Sequence, residues 1–220
     1  MSQVRPGEIE VVRSKSSNYL IQIAGGAIFG ALSTVMAIVL SPIINSSRIQ
    51  GWGIALFDPT SWVWVICFLI FGPIAGLISC VTGSFGLLII DPTGIGPIFK
   101  FIATVPMIFV PYFILKLKKE GVKESKILKK PVNYTVAGII AIIIRIVLML
   151  IMNFLFLVTV WGLESLPYIN LSVIGLGNIT GVEALLIFTP LINLYTGALD
   201  LAVPYSLVFG PKLDEKVGFW

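Results

Sequence analysis

Long runs of apolar residues dominate the chain, and four of them extend over about 19–44, 97–115, 134–160 and 184–209. A helix needs roughly 20 apolar residues to cross the hydrocarbon layer of a membrane, which is about 30 Å thick. The pattern therefore predicts at least four membrane-spanning helices.

A fifth apolar run, 62–90, is too long for one ordinary span. As a single helix it would measure about 43 Å at 1.5 Å per residue. It contains five residues that disfavour a continuous helix: Gly72, Pro73, Gly76, Gly83 and Gly86. We therefore predict two helices here, near 62–78 and 79–90, and an all-α membrane protein with six transmembrane helices.

The distribution of basic residues predicts the orientation of these helices. With six spans, the seven lysines of 116–130 lie on the same side as both termini. Cytoplasmic loops collect Lys and Arg, so this side is expected to be the cytoplasm. The predicted organisation is a cytoplasmic segment 1–18, a six-helix transmembrane domain 19–209 and a cytoplasmic tail 210–220. Contact of the lysines with anionic membrane lipid or with a cytoplasmic partner is the alternative interpretation.

Composition supports this class and excludes several kinds of function. The chain is 57% hydrophobic and 12% charged, its mean hydropathy is +1.00, and it has no histidine. Cys67 and Cys80 lie in apolar runs without metal-ligand spacing. A phosphate-binding loop, a paired-carboxylate motif and a nucleic-acid-binding motif are all absent from the sequence. We therefore expect neither enzymatic activity, nor a metal site, nor nucleic-acid binding.

Two ionisable residues are predicted to meet at membrane depth. Arg145 lies about 16 Å along its helix from the predicted cytoplasmic end, and Asp200 about 13 Å from the same end of the last helix. A charge at this depth costs roughly 2.5–3.5 kcal/mol on insertion scales, so each needs a partner. The sequence therefore predicts an Arg145–Asp200 ion pair, either as a link between helices or connected to a ligand.

A second polar group is predicted in the outer half of the membrane. Lys100, Asn153 and Asn193 come from three different helices and lie at similar depth beneath the predicted outer loops, about 45–61, 91–96 and 161–182. They predict a small-molecule pocket. The alternative is that the lysine extends to the surface and the asparagines join helices.

Lys100 falls in the first turn of its helix, where a cation opposes the helix dipole. We therefore expect it to have either a ligand or a carboxylate as its partner, and Asp91 and Glu183 are the candidate carboxylates. The first helix also carries small residues at four-residue spacing, with Gly26 and Gly30 on one stripe and Ala27 and Ala31 on the next, a pattern that allows another helix to approach closely. Two interpretations of these stripes are kept: packing against another helix of the same chain, and contact with a partner protein.

Several stretches, taken in order, resemble one transporter family. They are "FDPTSWVWVICFLIFGPIAGLI", "DPTGIGPIFKF", "MLIMNFLFL" and "TPLINLYTGALD". Together they are similar to the substrate-binding S components of energy-coupling factor (ECF) vitamin transporters, most closely to the riboflavin type. The resemblance extends over about residues 24 to 209.

The resemblance implies a six-helix subunit of the cell membrane that binds a vitamin, riboflavin or a related molecule, beneath its outer loops. Such subunits associate with a transmembrane T component and two ATPase subunits, and the vitamin is the transported substrate rather than a cofactor. The family's A-x-x-x-A motif, which contacts the T component, is matched by Ala27 and Ala31. Asn153 and Asn193 match asparagines of the riboflavin type, whereas Thr196 stands where those members have a lysine. Six residues are thus predicted to bind the substrate: Lys100, Asn153, Asn193, Asp91, Glu183 and Thr196.

Two other functional classes remain as alternatives to a transport subunit. A non-transporting membrane scaffold or assembly factor would use the small-residue stripes as its main functional surface. A membrane enzyme is the weaker third possibility. An S component is expected to retain a small molecule and to co-purify with ATPase subunits, whereas a scaffold retains neither.

Overall fold

A computed structural model of the protein describes residues 6–49, 52, 54–117 and 125–218. The described chain is mostly helical. Its nine α-helices are α1 (Pro6–Val39), α2 (Ser41–Ser46), α3 (Thr60–Phe71), α4 (Pro73–Leu87), α5 (Ile95–Leu117), α6 (Ser125–Leu128), α7 (Pro131–Phe156), α8 (Gly181–Phe209) and α9 (Leu213–Lys216).

The prediction of an all-α membrane protein is confirmed at the level of class. Four helical segments are long and apolar enough to cross a membrane: Asn18–Val39, Ile95–Leu117, Pro131–Trp161 and Gly181–Phe209. The other two apolar helices, α3 and α4, have 12 and 15 residues. Many large apolar side chains on the long helices are exposed, as expected for surfaces that face lipid.

The break in the fifth apolar run lies at Gly72, so the predicted boundary at 78/79 is wrong. Gly72 has φ 101° and ψ 179°, a conformation that L-residues with a side chain rarely adopt, and Pro73 then begins α4. Gly76 and Gly83 lie inside α4 instead. A Cβ on Gly76 would approach Phe68 Cβ to 2.7 Å, so this glycine serves the close packing of α3 on α4.

The two short helices form a hairpin that runs along the bundle and back. Thr60, at the start of α3, lies at the end of the bundle where α5 and α8 also begin, which we call the cavity end. The far end of the bundle, where α3 contacts α9, is called the tail end. α4 returns from there, packed against α1 and α5. The fully buried centre of the core is formed by Trp64, Phe68, Leu69, Met107 and Ile108.

The N-terminal helix begins before the predicted span. α1 is helical from Pro6, so much of the predicted segment 1–18 continues the helix rather than preceding it. Residues 118–124 of the predicted lysine loop lie outside the described residues.

The segment between α7 and α8 contains structure that the sequence analysis did not predict. A π-helical turn, Leu157–Trp161, extends α7, and 3₁₀ turns follow at Leu163–Tyr168 and Ser172–Ile174. Strands β1 (Asn170–Leu171) and β2 (Leu176–Thr180) form a small antiparallel pair. All of this lies at the cavity end, above the helices.

Candidate functional site

A cavity of about 440 Å³ lies between the helices at the cavity end. Its walls come from α3, α5, α7 and α8, with contributions from α1, α2, α4 and the segment that leads into α3. Five of the six predicted binding residues line it: Asp91, Lys100, Asn153, Asn193 and Thr196.

Arg145 and Asp200 form the predicted ion pair. Arg145 Nη1 lies 2.5 Å from Asp200 Oδ2, and the two residues are only 6% and 3% exposed. Ser61 Oγ donates to the other carboxylate oxygen, Oδ1, at 2.7 Å. Both residues also line the cavity and form part of its wall.

Two further N–H groups of Arg145 bond side chains of α8. Its Nε donates to Asn193 Oδ1 at 3.0 Å, and its Nη2 donates to Thr196 Oγ1 at 2.9 Å. Asn193 Nδ2 in turn donates to the Thr189 carbonyl at 2.9 Å. Asn193 and Thr196 therefore hold the guanidinium in place, and the amide of Asn193 has both of its polar atoms bonded within the protein.

The acidic partner of Lys100 is Asp58, so the expected pairing with Asp91 or Glu183 is wrong. Lys100 Nζ forms an ion pair with the Asp58 carboxylate and lies 3.4 Å from the Asp58 carbonyl oxygen. Burial opposes ionisation of Asp58. The ammonium of Lys100 and hydrogen bonds from Lys100 and Thr60 outweigh that effect and hold the pKa of the Asp58 carboxyl below its usual value.

The Asp91 carboxylate accepts hydrogen bonds at the start of α5 and does not pair with Lys100. Its Oδ1 accepts from Thr93 N at 3.1 Å and Thr93 Oγ1 at 2.5 Å, and its Oδ2 accepts from Gly96 N at 2.9 Å. Asp58 makes the same contacts with Thr60 N and Oγ1, at 3.1 and 2.6 Å. Both carboxylates thus satisfy free amides at a helix start. The repeated Asp-Pro-Thr sequence was the signal that could have shown this.

Glu183 lies outside the cavity. It is exposed in the first turn of α8, where a carboxylate interacts favourably with the helix dipole. It was predicted to bind because a carboxylate at the outer end of its helix is a candidate partner for Lys100, but it does not line the cavity.

Two polar atoms of residues in the cavity wall lack a partner among the described residues. Asn153 is 8% exposed; its Nδ2 donates to the Met149 carbonyl at 2.7 Å, but no described residue donates to its Oδ1. The indole Nε1 of Trp62 is buried and has no described acceptor. Trp62 Nε1 has almost no accessible surface, whereas the Asn153 oxygen keeps some, so a molecule in the cavity can donate a hydrogen bond to Asn153.

Aromatic rings form one side of the cavity. Phe156 meets Phe99 edge-on, with centroids 4.8 Å apart, and lies 6.2 Å from the ring of Trp161. Phe99 and Trp161 line the cavity. Trp161 reaches this position because the last turn of α7 is π-helical, a distortion that is frequent at functional sites.

The segment before α3 folds over the cavity and is attached to the structure between α7 and α8. It turns back on itself through an antiparallel bridge between Arg48 and Ala55. At its tip, Trp52 Nε1 donates to the Asn170 carbonyl at 3.0 Å, and the indole packs on Phe188 at 4.3 Å between centroids. Two of the three predicted outer loops therefore contact each other at the cavity end.

The small-residue stripes of α1 face two different surroundings. A Cβ on Gly26 would lie 2.7 Å from Ile78 Cβ, and one on Gly30 would lie 2.8 Å from Thr82 Cβ, so the glycines serve internal packing on α4. Ala27 and Ala31 are exposed. The alanine stripe is thus on the outer surface of the bundle, where a partner can reach it.

Comparison of the chain with protein-family models, with characterised proteins and with solved structures finds no match.

Proposed function

We propose that the protein captures a small molecule in this cavity and is the membrane-embedded substrate-binding subunit of an ECF-type importer. The observation that carries the proposal is the cavity itself, which combines aromatic walls with the Oδ1 acceptor of Asn153, to which no described residue donates.

The size and lining of the cavity support small-molecule binding. Ligand pockets commonly measure about 300–1,000 Å³ and are mainly apolar, with a few converging polar groups. This cavity, at about 440 Å³, falls in that range. The resemblance of the sequence to S components adds the substrate class, a vitamin, for which riboflavin or a related molecule is the best candidate.

The proposed topology has six spans, with both termini in the cytoplasm and the cavity facing outward. The α3–α4 hairpin supports it, because α3 runs from the cavity to the tail end and α4 returns. α3 and α4, with 12 and 15 residues, are shorter than a full span. Such helices cross the membrane where the bilayer is locally thinner or where the adjoining loops complete the crossing.

The proposed partners are a T component and two ATPase subunits. The exposed stripe of Ala27 and Ala31 supports this assignment, since small exposed residues let a second helix come close. The protein itself supplies recognition, and the ATPase subunits supply the energy for release into the cell.

Purification in mild detergent tests the proposal. The protein is expected to retain a vitamin-sized molecule, detectable by mass spectrometry, and to co-purify with ATPase subunits. Cells without the protein provide the blank, and the Glu183→Gln variant, altered outside the cavity, provides the matched control. A preparation that retains neither small molecule nor subunits would favour a scaffold and contradict the proposal.

A further inference from the structure

The proposed function gives no task to the lysine-rich connection between α5 and α7. Residues 116–130 contain seven lysines and two glutamates, so this connection carries an excess of five positive charges. The C-terminal residues do not neutralise it, because 210–220 contain two lysines and two acidic residues. The tail end is therefore basic, whereas the charged residues described in the cavity lining are three cations and three anions.

Lys116 lies in the last turn of α5, where the lipid-facing surface of that helix ends. Phe113, one turn earlier, is 54% exposed, and Leu117 is 82% exposed. Large apolar side chains that are exposed on a membrane-spanning helix face lipid. The Lys116 ammonium lies 5.5 Å from the centre of the Tyr112 ring. Lysine and tyrosine side chains at a helix end are typical of the layer between hydrocarbon and water, which places Lys116 at the level of the lipid headgroups.

Lys130 occupies the corresponding position on the neighbouring helix. It is the exposed residue directly before α7, and Val132, two residues further on, is 73% exposed. α5 ends and α7 begins at the tail end, and the two helices pack against each other. The lipid-facing apolar surface of both helices therefore ends at an exposed lysine.

The lysine next to Lys130 is engaged with the C-terminal tail. The Lys129 ammonium lies 3.1 Å from Asp214 Oδ2 and 2.5 Å from Glu215 Oε1. These two ion pairs compensate carboxylates that would otherwise repel a negatively charged surface. Lys116 and Lys130, by contrast, form no ion pair with a residue that the structure describes.

From this arrangement we infer that the tail end binds anionic phospholipid, with lipid phosphate groups at Lys116 and Lys130 and acyl chains against the apolar surface of α5 and α7. Clusters of lysine directly beyond a membrane-spanning helix are attracted to anionic lipid, and the attraction falls off within a Debye length, about 8 Å at physiological ionic strength. The lipid-facing side chains beside both lysines favour lipid over a protein partner. The inference is independent of the proposed transport function.

Two lipids with identical chains test the inference on the purified full-length protein in an uncharged detergent. Dioctanoyl phosphatidylglycerol is anionic, and dioctanoyl phosphatidylcholine has no net charge. Binding is followed by native mass spectrometry and by the shift in melting temperature. We expect phosphatidylglycerol to bind at least about 10-fold more tightly, and this preference to shrink at high salt.

A third compound distinguishes a lipid from a free phosphate. Glycerol 3-phosphate carries a headgroup phosphate without acyl chains, and it is expected to cause no shift at the concentrations at which phosphatidylglycerol does. Equal binding of the two lipids, or binding of neither, overturns the inference. Binding of glycerol 3-phosphate as tightly as phosphatidylglycerol overturns it as well, because the site would then not be a lipid site.

A double variant locates the site. Lys116→Gln, Lys130→Gln removes two positive charges from exposed positions, so the fold should be retained, and the preference for phosphatidylglycerol is expected to fall at least about 10-fold. Lys116→Arg, Lys130→Arg keeps both charges and should keep the preference.

The matched control lowers the net charge by the same amount at the cavity end. Asn178→Asp, Thr180→Asp changes two exposed residues there and is expected to leave the preference unchanged. If the glutamine variant keeps the preference, or if the control loses it equally, lipid selection does not depend on the two lysines. Either result would overturn the inference and leave the lysines to a protein partner or to orientation in the membrane.

Discussion

At the scale of single residues, polar side chains that line the same cavity have different tasks. Arg145, Asp200 and Asn193 satisfy one another and are held by packing, whereas Asn153 keeps a free acceptor. The two asparagines match the same family pattern in the sequence, yet their surroundings predict different consequences of substitution.

Asn153→Ala is expected to weaken ligand binding while the fold is retained. The lost hydrogen bond costs roughly 1–3 kcal/mol, which corresponds to about 5- to 150-fold in affinity. Alanine is well tolerated in a helix, so the melting temperature should change little. Titration with the vitamin that binds the unaltered protein measures the effect, and Glu183→Gln is the control. An unchanged affinity would show that Asn153 does not contact the ligand.

Arg145→Ala is expected to act on stability instead. It leaves the Asp200 carboxylate buried without its cation, which typically costs about 3–5 kcal/mol. The double variant Arg145→Ala, Asp200→Ala removes both charges and should recover part of the loss in melting temperature. The single variant Asp200→Ala completes the comparison. If the losses in stability of the two single variants simply add up in the double variant, the two residues are not coupled.

At the scale of helices, small residues decide which surfaces meet. Gly72 allows the chain to reverse between α3 and α4 at φ 101°. The glycine stripe of α1 brings that helix against α4, and the alanine stripe beside it stays exposed. Two stripes that are identical in spacing therefore have different surroundings.

Tryptophan substitutions at adjacent positions test this division. Gly30→Trp should prevent folding, because even a Cβ there would lie 2.8 Å from Thr82 Cβ. Ala31→Trp should fold and bind its ligand, but block the approach of the T component. Ligand titration and co-purification of ATPase subunits give the two readouts. Loss of ligand binding in a well-folded Ala31→Trp variant would contradict the assignment of the alanine stripe to a partner.

At the scale of the whole molecule, the chain has a cavity end and a tail end with distinct chemistry. The cavity end carries the folded segments beneath which the site lies. At the tail end, the Lys129 ammonium forms ion pairs with Asp214 and Glu215. The Lys129 carbonyl oxygen accepts a hydrogen bond from the Tyr205 hydroxyl at 2.7 Å. Capture at one end and engagement of the ATPase machinery at the other is the arrangement that the proposed function requires.

Cysteine labelling in intact cells tests the six-span topology. Single cysteines at Ile74, Lys130 and Tyr168 report the α3–α4 turn, the start of α7 and the segment between α7 and α8. A cysteine at Tyr168, a site that is 83% exposed, should react with an impermeant reagent from outside. Those at Ile74 and Lys130 should react only after permeabilisation. A cysteine at Ile74 that is labelled from outside, or from neither side, would contradict six full spans.

The sequence by itself determined the class of the protein and the approximate positions of its long helices. Both depend on the length of apolar runs, which is a property of the linear chain. The equal depth of Arg145 and Asp200 along their helix axes was likewise predictable, because a helix rises by a constant amount per residue. Five of the six predicted binding residues therefore reach the cavity.

Only the tertiary structure decided which side chains meet. The pairing of Lys100 with Asp58 depends on how the segment before α3 folds over the bundle, and the exclusion of Glu183 depends on the rotation of α8. The division between the glycine and alanine stripes depends on the side of α1 that α4 covers. Rotation about a helix axis and the docking of loops are set by the packing of all the helices together, so no single stretch of sequence contains them.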